Sequence, residues 1–77
     1  MNTYIITFYS HFSALSLQRA LAVDGIAVTL MPVPRVLSSS CGTCARLAAE
    51  SFTDYAHDGI ERVYLLNEET YQLIYES

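Results

Sequence analysis

Lysine is absent from this 77-residue chain, and with it go Schiff-base chemistry and the P-loop phosphate contact, both of which need a primary amine. Positive charge of any kind is scarce. Four arginines stand against eight Asp and Glu for a net charge of −4. That is the wrong sign for salt-dependent phosphate binding, so no nucleic-acid partner is expected. Long apolar runs are missing as well, since none approaches the roughly 20 residues that cross a bilayer. The first cation, Arg19, follows the apolar N-terminal run instead of preceding it as a signal peptide requires. A cytoplasmic setting without a membrane partner is the expectation. Cysteine is limited to two residues, far below the density of a disulfide-stapled secreted scaffold, which turns Cys41 and Cys44 towards redox, carrier or metal chemistry.

What is present is apolar: 52% of the residues are hydrophobic. A chain this short has little net stability to spare, so that content belongs in one core or a partner interface. The expectation is a single domain over residues 1–77, with an α/β core in 1–66 and a strand or tail in 67–77. Tyr4 to Tyr9 is a β-branched and aromatic run that suits a strand buried on both faces. Ser10 can cap a following helix in which Ala14, Leu17 and Leu21 share one stripe and Gly25 is the stop. Ile26 to Met31 is again strand-like, closed by Pro32 and Pro34. From Val33 to Gly42 the prolines, serines and glycine mark an ordered loop.

After that loop two readings are open. Cys44, Leu47, Ala48, Phe52, Tyr55 and Ala56 fit a helix stripe, while Cys44 to Ala48 also fits a short strand before a helix begun near Ser51. Gly59 ends the helix in either case. Ile60 to Leu66 reads as a further strand, and Tyr71 to Tyr75 as its partner in a C-terminal hairpin. The fold class expected is a two-layer α/β (α+β) sandwich of split βαβ, ferredoxin-like type. The alternative is a βαβαβ, thioredoxin-like layout with one longer helix after Cys41.

Cys41-Gly42-Thr43-Cys44 has the Cys-x-x-Cys spacing. At a helix start, unpaired N–H groups and the helix dipole favour the Cys41 thiolate, the form that attacks sulfur, selenium or a disulfide. Arg35 can add positive charge. Zinc is a weaker alternative, because His11 and His57 complete a set of four ligand types but form no paired spacing. A hydrolase built on Ser38 to Ser40, His57 and Asp58 lacks the nucleophile-elbow sequence. Neither a metal nor a cofactor is expected.

Several of these residues also carry a resemblance. Phe8-Tyr9-Ser10, Ala14, Leu21, Pro32-Val33-Pro34-Arg35, Ser39-Ser40-Cys41-Gly42 and Val63-Tyr64 are similar to the selenium/sulfur-carrier-protein-like family of small bacterial and archaeal domains. It spans residues 4 to about 66, and its most specific part is Pro-Val-Pro-Arg followed shortly by Ser-Ser-Cys-Gly. The resemblance implies that Cys41 is the family's characteristic cysteine and that Pro34, Arg35, Ser40 and Gly42 form its setting. Cys44 lies outside the shared pattern. Function is then expected to be carriage of a sulfur or selenium atom on Cys41, as a persulfide or selenopersulfide, between donor and acceptor proteins. Cys41 and Cys44 are the reactive candidates, and Ser10, His11, Arg35, Ser40 and Gly42 the binding ones. In the split βαβ topology Ser10, His11, Arg35, Cys41, Cys44 and His57 share one end of the sheet. A dithiol/disulfide protein using both cysteines and an interaction module without chemistry are the other readings. Tyr71, Leu73 and Tyr75 alternate onto one face, so the last strand either covers the chain's own sheet edge or pairs two copies as a homodimer.

Overall fold

The computed structural model of the chain describes residues 1–51 and 59–77. Its elements are β1 (Asn2–Phe8), α1 (His11–Val23), β2 (Thr29–Pro32), β3 (Thr43–Ala49), β4 (Ile60–Asn67) and β5 (Thr70–Glu76). The strands form one sheet in the order β2-β3-β1-β4-β5, and every neighbouring pair is antiparallel. β1 and β2 both run against β3, which lies between them, so they are parallel to each other and α1 crosses over the intervening strand. The domain is thus α+β, one helix on a five-stranded antiparallel sheet among the described residues. None of its described helices is long and apolar enough to cross a membrane.

Local chemistry sets the helix ends. The Ser10 hydroxyl accepts the Ser13 N–H at 3.2 Å, which satisfies one of the orphan donors of the first turn. At the other end Ile26 N–H bonds Leu21 C=O at 2.9 Å and Gly25 N–H bonds Ala22 C=O at 3.0 Å. Gly25 takes φ +77, the left-handed conformation such a paired cap needs. This cap moves a boundary: Ile26, expected to open the second strand, is spent on closing the helix, and β2 begins only at Thr29. Pro32 is its last residue and sits on an edge strand, where a missing N–H is tolerated.

Alternate residues of the strands feed one core. Tyr4, Ile6 and Phe8 of β1 join Ala45, Leu47 and Ala49 of β3, Ile60 and Val63 of β4, and Ala14, Leu17 and Leu21 of α1. The other face of the sheet carries Ile5 and Thr7, which are also buried, so β1 is covered on both sides as its sequence suggested. Thr7 keeps its hydroxyl satisfied by donating to Arg62 C=O at 3.4 Å.

Residues 43–49 are a strand, so the single long helix after Cys41, and the thioredoxin-like layout built on it, is corrected. An Ala-rich segment has weak preferences of its own, and pairing with β1 on one side and β2 on the other decides it. The helix expected from about Ser51 to Gly59 lies outside the described residues, apart from its ends. The C-terminal hairpin forms as expected, through a tight turn at Glu68, which takes φ +57. β5 therefore covers the β4 edge of its own chain.

Candidate functional site

The loop between β2 and β3 is closed at its base, where Val33 N–H meets Gly42 C=O at 3.2 Å. A turn follows, with Leu37 N–H on Pro34 C=O at 2.9 Å. The serines then fasten the loop to the sheet. The Ser39 hydroxyl donates to Phe8 C=O at 3.3 Å, at the end of β1, and accepts the Cys41 N–H at 3.3 Å. Ser40 gives both its N–H, at 3.2 Å, and its hydroxyl proton, at 2.8 Å, to the carboxylate of Glu61. Cys41 is thereby held between two strand ends on a loop that would otherwise move freely.

Cys41 is half-buried, and its side chain packs against the α1-side core. Its thiol faces Thr43 C=O at 3.5 Å, with the Ser39 hydroxyl at 3.9 Å. As a thiol it can donate to that carbonyl; as an anion it can take the Ser39 proton by a small rotation of the hydroxyl. His11, in the first turn of α1, brings Nδ1 to 3.2 Å from the Thr43 hydroxyl. Gly42 supplies the reversal between loop and strand with φ +76, a conformation a residue with a Cβ adopts at a cost.

Cys44 stands apart. β-strand alternation places it on the face with Thr7 and Met31, its register partners. It is fully buried there, and its thiol points at Pro32 C=O at 3.7 Å. Burial, and secondarily the neighbouring Cys41, push its pKa up to about 11, so the neutral thiol is the resting form. The two cysteines are both free.

Of the expected site residues, Ser10, His11, Ser40, Gly42 and Cys41 gather at the end of the sheet where β1 stops and β3 starts. Ser10 serves as the helix cap. Arg35 is exposed and makes no hydrogen bond or ion pair with a described residue. His57 lies outside the described residues. No helix begins at Cys41, because β3 starts two residues later, so the helix dipole expected to favour the thiolate is absent there. Sequence reasoning missed Ser39, Thr43 and Glu61. Glu61 carries no local signal, since a carboxylate in a mixed apolar run reads as a solvated strand position. Among the described residues no three His, Cys, Asp or Glu side chains are grouped so as to hold a metal ion.

This geometry, one partly exposed thiol on a pinned Ser-Ser-Cys-Gly loop, coincides with a family match: the model described as Se/S carrier protein-like fits residues 3–72. The chain belongs to that family. No curated protein and no solved structure matches it. The name of the family implies partner proteins, and the Ser39–Gly42 segment of this chain falls well inside the matched range.

Proposed function

We propose that this member of the Se/S carrier protein-like family holds a sulfur or selenium atom on Cys41 and hands it between two cytoplasmic partner proteins. The observation that carries the reading is the pinned loop, which presents Cys41 alone at the surface while Cys44 is turned to the opposite face. In the loading step the Cys41 thiolate attacks the terminal sulfur of a donor persulfide; a new S–S bond forms, the donor's S–S bond breaks, and the donor cysteine leaves as a thiolate. Unloading is the same exchange run towards an acceptor thiolate, so neither step needs an external oxidant or reductant. Each leaves one persulfide and one thiolate, as before. The Ser39 hydroxyl and solvent are the groups placed to stabilise the anion.

A fold of split βαβ, ferredoxin-like type goes with this proposal, supported by the order β2-β3-β1-β4 and the α1 crossover. Homodimerisation also remains a proposal. β5 forms an edge of the sheet, and a dimeric mass by light scattering at tens of micromolar is the expected result. The dithiol alternative requires Cys44 to reach a mixed disulfide on Cys41, and burial on the other face weighs against it. To test the carrier reading, the reduced protein is incubated with a cysteine desulfurase and cysteine, and its intact mass is measured. Wild type is expected to gain sulfur, Cys44→Ala to gain it equally, and Cys41→Ser to gain none. An unmodified wild type across several donors would sink the proposal.

A further inference from the structure

The ladder between β1 and β4 slips at one residue. Thr7 faces Arg62 and Phe8 faces Ile60, which leaves Glu61 as the extra residue of a bulge. Bulges re-aim side chains and occur often beside functional sites. Here the bulged carboxylate takes both hydrogen-bond donors of Ser40, the residue preceding Cys41. Charge-assisted bonds of this kind are about twice as strong as neutral ones. Both donors of Ser40 are thereby spent on β4, and the loop just before Cys41 is tied to that strand. Cys41 can therefore turn its thiol towards a reagent or a partner only as far as the Ser40–Glu61 contact allows.

We propose that Glu61 is a positioning residue that restrains Cys41, and that releasing its clamp on Ser40 activates the thiol. The inference rests on Cys41 being the transferring residue, and it adds a means by which the resting carrier is kept from reacting before it docks. Among the described residues, the titratable or charged groups around this contact are Glu61 on β4 with the adjacent Arg62, whose charge Glu61 favours, His11 on α1 through Thr43, Cys44 on β3, and Arg35 in the loop itself.

The test is the rate of Cys41 alkylation by iodoacetamide, followed by peptide mapping of the full chain from pH 6 to 9. Glu61→Gln keeps the side-chain shape but removes the charge and one acceptor. It is expected to raise the rate at pH 7 on the order of fivefold, equivalent to about 1 kcal/mol. Glu61→Ala is expected to do at least as much. Ser40→Ala should accelerate labelling in the wild-type background but add little to Glu61→Ala, the non-additivity of two residues acting through one contact. His11 is common to all variants, so differences between profiles report the clamp. Slow labelling of buried Cys44 serves as the internal check on folding, and if Glu61→Ala fails it, Glu61→Gln and Ser40→Ala decide. Rates within twofold of wild type, slower labelling, or additive single effects would overturn the restraint. Those outcomes are independent of sulfur loading: a Cys41 that loads sulfur at an unchanged alkylation rate leaves the carrier proposal standing without the clamp. A wild type that never loads removes the carrier proposal while the rates still speak for or against the clamp.

Discussion

Cys44 should resist thiol reagents far more than its spacing from Cys41 suggests. Its pKa is displaced from 9.0 to about 11, so at pH 8 roughly one molecule in a thousand carries the thiolate against roughly one in ten for an ordinary thiol. That hundredfold deficit is about 2.7 kcal/mol. Geometry multiplies it, because the side chain is 0% exposed and a reagent touches sulfur only after local opening of the structure around it. The same displacement links to stability. A folded pKa above the unfolded one gives stabilisation that is complete below pH 9 and is lost as the pH rises towards 11, with a slope of up to about 1.4 kcal/mol per pH unit. Alkylation kinetics at pH 8 with peptide mapping should label Cys41 first and Cys44 at least about a hundredfold more slowly than a free cysteine. Thermal unfolding between pH 9 and 11 should fall off less steeply in Cys44→Ala than in wild type. Labelling of Cys44 as fast as Cys41 in the folded protein would refute both the burial and the assignment of the transferring residue.

Three further outcomes follow from the packing and the caps. Phe8→Ala empties a fully buried core position at the end of β1 and should cost about 3–5 kcal/mol in urea titrations, enough to leave a domain of this size largely unfolded. Ser10→Ala should lower stability by about 1 kcal/mol and Ser10→Gly by only a few tenths, an order that circular dichroism melts would contradict if the two were equal. Gly42→Ala meets open space but keeps φ +76, so its cost is backbone strain of about 1–2 kcal/mol. A shifted Cys41 alkylation rate in that variant would show that the strain reaches the loop, and unchanged stability would disprove the left-handed conformation.

Much of the fold can be read from residue types alone. Tyr4 to Phe8 and Ile60 to Leu66 are strands because runs of β-branched and aromatic residues between turn signals leave the backbone few alternatives. The helix is legible at both ends, since Ser10 and Gly25 each have one conformational task there. What was hidden depends on contacts between distant segments. Ile26 is apolar and β-branched and looks like strand, yet its N–H is captured by Leu21. Residues 43–49 carry alanines that suit helix and strand alike, and only the ladders to β1 and β2 choose between them.

That choice also decides the chemistry of the two cysteines. A spacing of three residues brings side chains together on a helix, where positions i and i+3 share a face. Here only Cys44 is in a strand, and Cys41 lies before it across the left-handed turn at Gly42, so neither spacing rule joins them. The dithiol reading of Cys-x-x-Cys needs the two thiols to meet, and a strand from Thr43 puts Cys44 in the sheet with Cys41 on the loop before it. Cys41 then stays with the α1-side core at the loop's end, and Cys44 goes to the far face against Pro32. Ser40 and Glu61 show the opposite limit. Ser40 is prominent in the sequence beside Cys41, but its partner is 21 residues away and aimed by a bulge that no local pattern announces. The cysteine proposed to transfer can therefore be recognised from its neighbours in the chain, whereas the carboxylate proposed to restrain it becomes visible only when the ladder register is known.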